Sequence, residues 1–377
     1  MITVNLYRKI YLDVIEEIRS GNLKIGDKLP TEKAMSEKYK VSRITTKKAL
    51  DLLAQEKIIE RFQGKGSFVS SGHIKNQESK KEASVKALPH LSGLVGLIIP
   101  DFSDVFGLKQ VKMIEEKCSE YNYHLVIKRT LGYAEEEKKA INSLVDKGLD
   151  GLIIIPAHGT HYNHDLLRLV VDKYPLVLLD RYIKGIPASS VHINNQKATI
   201  MAIKYLLEKG HRELAFISPP KEGASSIEER EIGFHIAFSD QNLPVNNNYF
   251  LLDIQSSIPK NFSSDNVKEI AENDRRKIEE FLKKNPEITA IFCTDYTIAN
   301  MVYSVLESLG KKIPEEYAIV CFDSVSTTNG NPLFTHISQR EDKMGEEAVH
   351  LLMKQVNGEY DPKHVEVDFD FIIGETT

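Results

Sequence analysis

VSRITTKKAL, residues 41–50, sets one arginine, two adjacent threonines and two lysines at the start of what reads as a helix. At about 100° per residue, Thr46, Ala49, Leu50 and Leu53 share one apolar stripe. Ile44, Thr45, Lys47 and Lys48 fall on other faces, and Arg43 sits at the exposed amino end. Ser42 is a natural N-cap, but position 45 holds Thr rather than Glu or Gln, so no capping box accounts for these residues. An uncompensated helix amino terminus beside an arginine suits a phosphate or a base edge. The bland alternative is a solvated basic helix.

The flanking residues form a small domain around this helix. Upstream, Tyr7, Ile10, Tyr11, Val14, Ile15 and Ile18 mark one face of an amphipathic helix ending at Gly21. Thr31 can cap a short second helix through Tyr39, with Ala34 and Tyr39 inward. Downstream, IIERF and SFVS flank the glycine-rich tip QGKG as a hairpin. Three helices and a hairpin make a winged helix-turn-helix over residues 1–70. Residues 71–90, SGHIKNQESKKEASVKALPH, are polar, lysine-rich and aperiodic, and read as a linker.

Charge is divided along the same boundary. The 377-residue chain has a net charge of −5, yet residues 1–70 carry 14 Lys and Arg against 9 Asp and Glu, while the remainder carries 35 against 45. Such a basic head on an acidic body is expected if only the head meets a polyanion. No apolar run is long enough to span a membrane, and MITVNLYRKI lacks a signal-peptide core, so a cytoplasmic protein is expected. Cys118, Cys293 and Cys321 lie far apart in apolar stretches and read as buried thiols. Neither GxSxG, GxxxxGK[ST] nor HExxH occurs, so an enzyme is not expected, and neither is a cofactor.

Residues 6–69 closely resemble the DNA-binding domain of GntR-family transcription regulators. The resemblance rests on LPTE at 29–32, VSR at 41–43, Thr45 with Lys47 and Lys48, Ala49-Leu50, and the glycines at 64 and 66. Two positions depart from that pattern: Thr46 stands where Val is usual, and Lys57 where Gly is usual. The resemblance implies that Ser42, Arg43 and Thr45 meet bases or phosphates in a major groove and that Lys47 and Lys48 meet phosphates. It also implies that Gln63, Gly64 and Lys65 enter the adjacent minor groove. Double-stranded operator DNA bound by a homodimer is therefore expected.

From residue 91 to 377, short apolar runs alternate with amphipathic helical stretches. GLVGLIIP, YHLVIK, DGLIIIP, PLVLLD, VHIN, ELAFIS, ITAIFC and YAIVCFD read as strands, with helices between them. This alternation predicts an α/β body of parallel sheets covered on both faces, long enough for two lobes around a cleft. Polar residues follow the strands: Asp101, Asp180-Arg181, Thr294-Asp295 and Asp323. Carboxyl ends of parallel strands are where such sheets bind ligands, and carboxylates facing an arginine suit sugar hydroxyls. Simple strand ending and helix capping is the competing reading for each.

Residues 93 to about 360 are similar to the effector domain of the LacI/GalR family, itself periplasmic-binding-protein-like. Arg230 of EEREIGF matches that family's ligand-binding arginine, and Asp323 of CFDS its ligand-binding aspartate. Thr294 replaces a frequent ligand-contacting Asn, while Phe106 keeps the aromatic of an N-P-F motif in which Asp104 and Val105 replace Asn and Pro. The effector set is therefore Phe106, Asp180, Arg230, Thr294, Asp295 and Asp323. Such a head on such a body is the arrangement of AraR-type repressors, which implies release from operator DNA by an arabinose-like sugar. A disaccharide, sugar phosphate or purine effector, or a corepressor, stays open. His158, His161 and His164 could hold a metal or face the ligand, but read more simply as a polar loop.

Overall fold

The computed structural model describes residues 6–19, 22–55, 58–62, 65–70, 92–157, 163–262, 266–325 and 330–377. The linker, Gln63, Gly64, His158 and His161 lie outside the described residues. In the head, α1 (Leu6–Arg19), α2 (Glu32–Tyr39) and α3 (Arg43–Gln55) precede the antiparallel pair β1 (Ile59–Phe62) and β2 (Gly66–Val69). Tyr7, Ile10, Tyr11 and Val14 of α1 pack on Ala49, Leu50 and Leu53 of α3 in one core. Thr46 is fully buried on the same stripe, and its hydroxyl donates to the Ser42 carbonyl (3.4 Å).

The head departs from the sequence expectation at two places. The inward residue of α2 is Met35, whereas Ala34 is exposed. Ala34 instead gives its backbone N–H to the capping hydroxyl of Thr31 (3.2 Å), which turns it toward the helix mouth. The start of α3 is also not uncompensated. Ser42 Oγ accepts the Thr45 N–H (3.1 Å) and lies 2.9 Å from Thr45 Oγ1, so the two hydroxyls satisfy each other.

The body has two six-stranded sheets. The first lobe contains β3 (Leu94–Ile99), α4 (Leu108–Glu120), β4 (His124–Arg129), α5 (Ala134–Asp146), β5 (Gly151–Ile154), α6 (His164–Val171), β6 (Leu176–Leu179) and β7 (Ser189–Ile193). After α7 (Asn195–Glu208), the second lobe follows with β8 (Leu214–Ile217), α8 (Ser225–Asp240), β9 (Phe250–Leu251), α9 (Val267–Lys284) and β10 (Ala290–Cys293). It continues through α10 (Tyr296–Ser308), β11 (Ala318–Phe322) and β12 (Thr335–Gln339). The chain then returns through α11 (Glu341–Val356) and β13 (His364–Val367) to end in β14 (Phe369–Ile372).

The sheet orders are β13-β7-β6-β5-β3-β4 and β14-β12-β11-β10-β8-β9. Both lobes thus repeat one doubly wound parallel order, and only β14 is antiparallel, against β12. That pairing qualifies the all-parallel reading. β12, α11, β13 and β14 extend the alternation past the last strand read from sequence. The chain crosses between lobes three times, at Asn194, Arg340 and Asp368, and these crossings are tied by Asn194 to Glu366 (3.1 Å) and Arg340 to Asp370 (2.7 Å). Two glycines permit close helix packing. A Cβ on Gly233 of α8 would stand 2.7 Å from the Gln196 carbonyl, and one on Gly345 of α11 would stand 3.1 Å from the Gln110 carbonyl. The core is aromatic in the second lobe, where Phe216, Phe234, Phe292, Phe322 and Phe334 are fully buried, each worth roughly 1.5–3 kcal/mol.

Candidate effector cleft and DNA-reading helix

The carboxyl ends of both parallel sheets face a cavity of about 250 Å³ between the lobes. Asp180 follows β6 and Asp323 follows β11, the fourth strand of each lobe's parallel order. Both are non-glycine residues in the left-handed region, with φ of 68° and 59°. Each gives its backbone N–H to the next strand, Asp180 to Val191 (2.9 Å) and Asp323 to Ile337 (2.8 Å). The two bonds lock a conformation that costs free energy and aim one carboxylate from each lobe into the same space.

Arg230 on α8 lies between them. It is 5% exposed, its Nε donates to Asn195 Oδ1 (2.9 Å), and its Nη1 donates to the Thr294 carbonyl (2.6 Å). Its guanidinium carbon stands 3.5 Å from the centroid of the Phe322 ring, a cation–π contact that holds the plane. Burial pulls the guanidinium below its ordinary value, against the opposing effect of Asp323, Asp180 and Asp295. Burial pushes Asp323 up to about 7, with Arg230 acting the other way, and Gln339 Nε2 donates to its Oδ2 (2.8 Å). Glu341 is likewise pushed up to about 7 by burial. Its carboxylate accepts the Gly107 N–H (2.7 Å) and so fixes the loop carrying Phe106.

All six residues of the expected effector set line this cavity. Thr294 contributes a buried Oγ1 that has no hydrogen-bond partner among the described residues, a donor and acceptor that a ligand hydroxyl would satisfy. Asp295 also caps α10 by accepting the Ile298 N–H (3.0 Å), so its structural role is real. Phe102, Phe262 and Tyr296 add aromatic wall that the sequence reading missed, as it missed Gln339 and Ser226 in the lining and Asn195 behind Arg230. Across the mouth, Tyr133 Oη donates to the Lys260 carbonyl (3.0 Å), so the lobes touch.

In the head, Arg43 is exposed and lines a groove with Lys28, Lys33, Arg61 and Lys65, between the start of α3 and the hairpin. Arg61 pairs with Asp51 and Glu32, while Lys28, Lys33, Arg43 and Lys65 are exposed along the groove. Lys48 does not line this groove. Its ammonium is paired with Asp150 of the body, and Lys47 lines the same junction. The expectation that Lys48 stands open to phosphate is therefore not met in this conformation, because a buried carboxylate already takes its charge.

Comparison with known proteins agrees with both halves. Residues 6–69 match the family described as bacterial regulatory proteins, gntR family, and residues 203–377 match the periplasmic binding protein-like domain. The chain joins a GntR-type DNA-binding head to a periplasmic-binding-protein-like body. The arabinose metabolism transcriptional repressor of Geobacillus stearothermophilus is 24% identical over 362 residues, covering 94% of this chain and 92% of that one. The ribose operon repressor of Halalkalibacterium halodurans is 27% identical over 308 residues, 81% of this chain and 86% of that one. Among solved structures, the transcription regulator CcpA of Lactococcus lactis shares the fold with a TM-score of 0.64 at 21% identity, over 75% of this chain and 98% of that one.

In the periplasmic-binding-protein-like body, His164 opens α6, and no group of metal-ligating side chains occurs among the described residues. Glu137 of α5 accepts from the Ala157 N–H (2.7 Å) and from Asn163 Nδ2 (3.0 Å), holding both ends of the histidine segment. No described helix is long and apolar enough to cross a membrane.

Proposed function

We propose that the chain is a sequence-specific transcription repressor of carbohydrate-utilisation genes, released from its operator by a sugar bound between the lobes. Its parts are a head over residues 1–70, a linker over 71–90 and an effector and dimerisation body over 91–377, working in the cytoplasm as a homodimer. The observation that carries this reading is the meeting of the Arg230 fork, Asp180 and Asp323 in one cavity, one carboxylate from each lobe, in a chain whose head bears an exposed Arg43. Carboxylates and a guanidinium bind vicinal hydroxyls in fixed directions, and Phe106 offers a face to the apolar side of a sugar ring.

Size and charge narrow the ligand. About 250 Å³ lies below the roughly 300–1,000 Å³ of sites for drug-sized molecules, which favours a monosaccharide over a disaccharide. Asp101, Asp180, Asp295 and Asp323 outnumber Arg181 and Arg230 in the lining, which disfavours a phosphate. An arabinose-like pentose fits both constraints and agrees with the named specificity of the Geobacillus relative. A ligand contacting both lobes favours the closed pair, and only that difference in affinity can move the heads. A thermal-shift screen of the full chain against pentoses, hexoses, disaccharides and sugar phosphates tests the reading. Stabilisation by a neutral monosaccharide supports it, and stabilisation by sugar phosphates alone contradicts it.

A further inference from the structure

One carboxylate outside the cleft joins the head to the body. Asp150 immediately precedes β5, and its side chain has no exposed surface. Within the body it accepts from Ser92 Oγ (2.9 Å) and the Gly93 N–H (3.0 Å). From the head it accepts Lys48 Nζ and Tyr7 Oη (3.4 Å), and the same ammonium lies 4.5 Å from the Tyr7 ring centroid. One helical turn before Lys48, Ile44 packs against the apolar cluster of Ile141, Leu149, Leu169 and Tyr174. Lys47, Asp51 and Leu52 line the remainder of this junction.

These head residues define one face of α3. The core stripe of that helix is Thr46, Ala49, Leu50 and Leu53. Positions 44, 47, 48 and 51 lie about half a turn away, on the opposite side, at 100° per residue. The side of a reading helix opposite its own core is the side that enters a major groove, and a groove about 12 Å wide admits one helix of about 10–12 Å diameter and nothing beside it. The body therefore stands where the groove would stand. Asp150 meets Lys48 as a phosphate oxygen would, with a buried charge in place of a solvated one.

We propose that the first-lobe surface around Asp150, between the end of α5 and α6, is a docking surface for the DNA-reading helix of the chain's own head, and that docking and operator binding exclude each other. The proposal rests on reading the head as DNA-binding. Its consequence is that the apparent DNA affinity of the full chain is its intrinsic affinity scaled by the undocked fraction. If about nine heads in ten are docked, release tightens DNA binding about tenfold.

Two substitutions in the full chain push in opposite directions. Asp150→Asn keeps acceptor oxygen for Ser92 and Gly93 but removes the charge that holds Lys48. Lys147→Glu, at an exposed position lining the same junction, replaces a cation with a carboxylate where the head contributes Lys47 and Lys48, and leaves the Asp150 contacts in place. Hydrogen exchange without DNA should rise at residues 44–52 and 141–149 in Asp150→Asn and fall in Lys147→Glu. Fluorescence anisotropy on a labelled duplex at low salt should show tighter binding by the first variant and weaker binding by the second. Unchanged exchange in both variants overturns the docking. Altered exchange with unchanged DNA affinity overturns the competition. If neither the parent nor either variant binds any duplex at low salt, the DNA-binding reading of the head fails, whereas the exchange result still judges the docking by itself.

Discussion

Replacing Arg230 with lysine keeps the positive charge between Asp180 and Asp323 but removes the planar fork. Arg230 uses two of its five N–H donors on Asn195 and the Thr294 carbonyl, which leaves three for a ligand. Losing one charge-assisted hydrogen bond to a sugar hydroxyl costs about 1.5–3 kcal/mol, so sugar affinity should fall about 10–150-fold. The assay is thermal denaturation of the full chain with and without the best sugar from the screen. At a concentration 100 times the parent Kd, binding adds about 2.7 kcal/mol. A Kd weakened 100-fold reduces this to about 0.4 kcal/mol. For a body of this size, the ligand-induced rise in Tm should shrink from roughly 4–5 °C to less than about 1 °C. DNA binding without sugar should stay unchanged, because Arg230 lies far from α3 in the fold. A variant whose sugar-induced shift equals the parent's would refute the assignment of Arg230 as the ligand fork.

Three further outcomes follow from the same geometry. Asp323 and Glu341 are each pushed up to about 7 by burial. Between about pH 4 and 7 the folded chain holds protons that the unfolded carboxylates have lost, so these groups make stability fall as pH rises through that window. A sugar hydroxyl bonds more strongly to the ionised than to the neutral Asp323, so the sugar-induced Tm shift should run the other way and be larger at pH 8 than at pH 6; equal shifts would show that no charge-assisted bond to Asp323 is made. Arg43→Ala should erase about 1–3 kcal/mol of discrimination between a selected operator and random DNA, read by competition in a gel-shift assay at physiological salt, and full discrimination in the variant would show that Arg43 reads no base. Gly233→Ala forces a methyl to 2.7 Å from the Gln196 carbonyl, and should lower stability by about 1–3 kcal/mol and weaken sugar binding by displacing α8; chemical denaturation and the thermal-shift series check the two effects.

The parts legible in the sequence were those with a local period. Thr46 falls on the core stripe because α3 is long enough for the stripe to repeat, and β3 to β8, β10 and β11 are legible as apolar runs, whereas the two-residue β9 and the mixed THISQ of β12 are not. The eight-residue α2 offers too few apolar positions to fix its phase, and Ala34 was placed inward where Met35 belongs. The terminal strands were missed for a different reason. HVEVDFDFII alternates apolar and polar residues at a period of two, the pattern of half-exposed strands, and so carries no continuous apolar run like those of the central strands. Asp180, Thr294, Asp295 and Asp323 were legible as strand-end residues, and Arg230 came from the family resemblance. Asn195 and Gln339 have no local mark, because each acts through a partner, Arg230 or Asp323, supplied by a distant stretch of chain. Lys48 looked like a phosphate ligand for the same reason, since Asp150 lies 102 residues away.

A ligand held at Arg230, Asp180 and Asp323 should alter DNA binding by a head that it never touches. The direct measurement is fluorescence anisotropy of the full chain on a duplex obtained by in vitro selection, titrated with and without the sugar that stabilises it most. Adding sugar should lower the affinity about 5–150-fold, the span of about 1–3 kcal/mol of coupling, with little response in Arg230→Lys. Identical DNA affinity with and without a sugar that demonstrably binds the parent chain would contradict it.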